Sequence, residues 1–82
     1  MENKIALSSL AMDLKRVALG LYRKSDTMAE RFLHEAMKRK DEVDMKQLLP
    51  YMQHILMKVN DHIDADNALM YSTRIQNYVL YK

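Results

Sequence analysis

Residues 3–23 read NKIALSSLAMDLKRVALGLYR, and their apolar side chains return every three or four positions. Leu7, Leu10, Leu14, Val17 and Leu21 form one seam, the spacing of an α-helix that buries one face. A second stripe lies on the same helix: Ile5, Met12 and Leu19, each seven residues from the next. At roughly 100° per residue this stripe sits well over 120° from the centre of the first seam. One face can pack a core within the chain, and the other needs something to cover it. Gly20 weakens the helix near its end and permits a close approach by a neighbour.

The rest of the chain supports the same class. One glycine, one proline and no cysteine in 82 residues leave little room for strands joined by tight turns. Ser25, Asp26 and Thr27 supply the next helix start, and Thr27 with Glu30 has the form of a capping box. A second helix over residues 28–40 places Ala29, Phe32, Leu33, Ala36 and Met37 on one face. Lys38, Arg39 and Lys40 close its last turn, where positive charge complements the helix dipole. Asp44 and Gln47 again resemble a capping box. Pro50 either starts a third helix or kinks one that begins at Met45. Leu48, Met52, Ile55, Leu56, Val59 and Ile63 share the third face.

Asn60, Asp61, Asp64, Asp66 and Asn67 then interrupt the apolar phase. A break with Asp64 or Asp66 as N-cap is the favoured reading, and one helix continuing to the C-terminus is the alternative. The last segment, residues 65–80, carries Ala68, Ser72, Ile75 and Val79, with Tyr71 and Tyr78 on one flank and Leu69 and Leu80 on the other. Its apolar arc is wider than one core face needs. Met70 and Tyr81 lie outside even that arc.

These patterns predict a single all-α domain over residues 1–82. It is a small antiparallel bundle of four helices, or three if the last two are continuous, completed by self-association. Leu10, Leu14, Val17, Leu21, Phe32, Leu33, Ala36, Met52, Ile55, Val59, Ile75 and Val79 are its expected interior. A chain this short buries only about 60–65% of its unfolded surface, and without cysteine the usual remaining remedy is association.

Chemistry finds little foothold. Residues 60–67 lack the glycine and the twelfth-position glutamate of a calcium loop. His34–Glu35 opens like a zinc-protease motif, but Lys38 stands where the second histidine belongs. His62 and Asp66 form a lone i,i+4 pair, short of the paired sets that bind two metals in bundles. Ser8, Ser9, Ser25 and Ser72 lack a glycine-rich elbow. No enzymatic activity, cofactor, metal or small-molecule substrate is expected. The composition also offers no membrane span and no signal peptide, which favours a cytoplasmic address.

The expected function is a non-enzymatic protein–protein interaction module, a homodimeric adaptor or regulatory subunit. Its interface would comprise Ile5, Met12, Leu19, Met70, Tyr71, Tyr78 and Tyr81. Either a second copy or another protein could occupy it. The alternative is a small nucleic-acid-associated regulator. Net charge is only +2, but residues 1–24 hold five basic against two acidic side chains. Lys15, Arg16, Arg23 and Lys24 would then meet phosphates.

Overall fold

The computed structural model describes residues 3–81, with side chains through residue 80. Among these residues the chain forms four α-helices and no strand. The first helix, α1 (Asn3–Tyr22), ends in a tight reversal. The Ser25 N–H donates to the Gly20 carbonyl at 2.8 Å and the Lys24 N–H to that of Leu21 at 3.1 Å. This pair of bonds is a Schellman cap, with Lys24 at φ 57° in the left-handed position. Helix α2 (Asp26–Glu42) then runs back along α1. The two meet so closely that a Cβ on Gly20 would lie 2.9 Å from the Ala29 backbone nitrogen.

The start of α2 corrects the expected cap. Ser25 occupies the N-cap without a side-chain hydrogen bond, and Thr27 already lies inside the first turn. The reversal after α1 fixes where α2 can begin, so the Thr27–Glu30 box does not form. At the other end, Asn3 Nδ2 donates to the Asp44 carbonyl and the Asp44 N–H donates back to Asn3 Oδ1, both at 2.9 Å.

Asp44 accepts from the Lys46 N–H at 3.1 Å and opens a single 3-10 turn, Met45–Gln47. Gln53 Nε2 holds this turn down by donating to the Met45 and Leu48 carbonyls, both at 2.9 Å. Pro50 starts helix α3 (Pro50–Lys58), where its missing N–H is harmless, so it begins a helix and kinks none. The break after α3 is real. Asn60 Oδ1 accepts from the His62 N–H and Asp64 Oδ1 from the Asn67 N–H, each at 2.8 Å. Asp64, not Asp66, therefore caps α4 (Ala65–Tyr81).

Helix α4 also runs back along α1, on the flank opposite α2. Ser72 Oγ donates to the Ala11 carbonyl at 2.6 Å, and the Tyr22 hydroxyl to Asp66 Oδ1 at 2.6 Å. Small residues line both flanks of α1: Gly20 meets Ala29 on one, and Ala18 packs with Ala68 on the other. Between α2 and α4, Leu7, Leu10 and Leu14 are sealed with Met52, Leu56, Val59 and Ile75. Each such side chain contributes about 1.5–3 kcal/mol relative to exposure. Of the expected interior, Leu21, Phe32, Leu33 and Val79 are only half-buried. Leu21, Phe32 and Leu33 pack at the edge of the cluster around Val17, Ala18 and Ala68, and Val79 at the edge of the larger one.

Candidate protein interface

Because α2 and α4 flank α1, only one face of the first helix remains outward. Ile5 is 58% exposed, Met12 52% and Leu19 37%, in a line along that face. The helical phase of α4 is fixed by Ala68 and Ser72, which touch α1. Turning outward from these past the α1 contact reaches Leu69, Thr73, Gln76 and Leu80. Leu69 and Leu80 are exposed on this flank, on the far side of Lys15 from the α1 stripe. In the sequence pattern these two leucines form one flank of the last helix, and the expected interface does not include them. The missing signal was which flank of α4 another helix covers.

Two predicted interface residues turn inward instead. Tyr71 and Tyr78 belong to the core, because α3 packs against their flank of α4. The Tyr78 hydroxyl accepts from the Leu49 N–H at 3.3 Å, and its ring meets Tyr51 edge-on with centroids 5.8 Å apart. Met70 is exposed, but it lies away from the α1 stripe in a groove with Tyr51, His54, Lys58 and Arg74. The Tyr81 side chain lies outside the described residues.

The basic residues do not form one patch. Lys15 lies on the α4 side of the apolar stripe and Arg16 on the α2 side, by helical phase. Arg23 is exposed just past the end of α1, and Lys24 is held in the turn. Arg16 already has partners: its guanidinium is 3.8 Å from Asp13 and stacks over the Phe32 ring at 5.2 Å. Arg31 approaches the same ring at 6.0 Å. Burial pushes the Asp13 carboxyl above its usual range, while Arg16 and Arg39 pull it down and Glu35 raises it. Arg39 pairs with Glu42 at 3.2 Å, and its Nε is buried with no acceptor.

Among the described residues no three acidic or histidine side chains converge as a metal site would require. No helix there is long and apolar enough to cross a membrane. No family model matches the chain, and no curated protein or solved structure shows significant similarity to it.

Proposed function

We propose that this chain is a non-enzymatic interaction module that self-associates, a helical bundle completed by a second copy on the outer faces of α1 and α4. The carrying observation is the stripe Ile5, Met12 and Leu19, exposed on a helix whose opposite face and flanks are packed. Leu69 and Leu80 add exposed apolar surface on the adjoining flank of α4. Basic side chains on both edges supply the polar rim that such interfaces carry. The reading as a dimeric adaptor or regulatory subunit rests on this exposed surface.

Sedimentation equilibrium over a wide concentration range tests this reading. The wild type should show twice the chain mass, and the M12D/L19D double variant should sediment as a monomer that keeps its helical circular dichroism. Unchanged mass in a folded double variant would remove this face from the assembly. Nucleic-acid binding gains less from the geometry, since an apolar stripe separates Lys15 from Arg16, and Asp13 and Phe32 occupy the latter.

A further inference from the structure

We infer that the second copy docks with its α1 antiparallel to the first, on a two-fold axis beside Met12 that sets Ile5 of each copy against Leu19 of the other. This rests on the self-association proposed above and adds its partner geometry. The stripe reads the same from both ends: Ile5 and Leu19 stand equally far from Met12. Reversing one copy about Met12 therefore superimposes apolar on apolar. A seven-residue repeat drifts by roughly 20° per heptad on a straight helix, so two such stripes stay in contact when the helices cross at about 20°.

Charge selects the direction. In the antiparallel register Lys15 comes opposite Ser8 of the second copy, and Arg16 opposite Ser9. Hydroxyls thus face ammonium and guanidinium groups, and no cation faces another along the stripe. A parallel pairing brings Lys15 level with Arg16 of the second copy and Arg23 level with Arg23, which is repulsive. Serines on both sides of Met12, at the mirror positions of the two basic residues, give this choice a physical basis.

The same axis stacks α4 over α4 of the second copy. The broad side of the molecule is 35 × 19 Å. A stable interface takes about 800 Å² of accessible surface from each partner. One helix stripe is too narrow for that, so contact extends onto α4 and takes in Leu69 and Leu80.

The cysteine-free chain makes a direct test possible. Single variants I5C, M12C, L19C and, as a control on exposed α2 surface, T27C are oxidised mildly and run on non-reducing gels. Disulfides form only when the paired Cα atoms come within about 7 Å. M12C should cross-link at least about tenfold faster than T27C, because proximity sets the rate of capture. I5C and L19C should each cross-link slowly alone and rapidly when mixed. The mixture keeps Met12 intact, so it answers even if M12C weakens the dimer. Rapid cross-linking of I5C alone, or of L19C alone, without the mixed product would overturn the antiparallel register. A wild-type dimer in which none of these pairs forms would overturn this docking. A wild type that is monomeric at every concentration would overturn the self-association itself.

Discussion

Lys24 holds a backbone conformation that suits glycine, with φ at 57° at the cap of α1. Its Cβ opposes the left-handed geometry, and nothing in the Schellman bonds uses the side chain. K24G should therefore stabilise the fold by about 0.5–1 kcal/mol, after allowing for the freedom glycine adds to the unfolded chain. A thermal melt should show a rise of a few degrees, and a fall would mean the lysine side chain contributes contacts at the turn. Asp13 is a second residue-scale liability. Its folded carboxyl holds its proton more tightly than the unfolded one does, mainly through burial. The sign follows directly. Its contribution is most favourable when both states are protonated, below about pH 4, and is lost as pH rises through the folded value. D13N should thus be more stable than wild type at pH 7, with the gap closing towards about pH 4. Urea midpoints measured across that range check it. A constant gap would assign the effect to packing and not to charge.

At the scale of elements, the α1–α2 pair depends on the absence of one carbon. G20A gains helix propensity worth about 1 kcal/mol. It also places a Cβ 2.9 Å from a backbone nitrogen, which cannot swing aside as a side chain would. Overpacking of that kind costs about 1–3 kcal/mol, so the net expectation is destabilisation. A lower urea midpoint at unchanged slope is the expected result, and a higher one would show that the two helices can part without loss.

The elements also show what the chain discloses by itself. Pro50 and Asp64 mark their helix starts through local chemistry, a fixed φ and a short carboxylate, and the structure uses both. Thr27 fails as a cap because the reversal at Lys24 and the approach of Gly20 to Ala29 decide where α2 begins. The stripe on α1 was legible because one helix cannot bury two opposite faces. The assignment of Tyr71 and Tyr78 was not legible. A wide apolar arc on α4 says that two sides are covered, and only the position of α3 says which one is covered from within.

For the whole molecule, the Cα radius of gyration of 11.7 Å matches the value of about 12 Å for a compact chain of this length. The accessible surface of 5530 Å² nevertheless exceeds the roughly 5100 Å² typical of a 9.7 kDa monomer. The chain is thus compact, and Ile5, Met12 and Leu80 are among the large apolar side chains it leaves exposed. On this scale the M12D/L19D variant separates folding from assembly: helicity should persist because every fully buried leucine remains, while mass falls by half. Lower heat resistance should accompany the loss of mass, since a partner that binds only the native state stabilises it.

The reciprocal bonds between Asn3 and Asp44 have a bearing on how the native state opens. They close the free end of the α1–α2 hairpin, just as the Schellman turn closes the other, across 41 positions of sequence. A hairpin fastened at both ends should fray less from either, and hydrogen exchange would then find its amides opening together. The Asp44 amide, exposed in a connector but bonded to Asn3, should then report the opening of the first turn of α1.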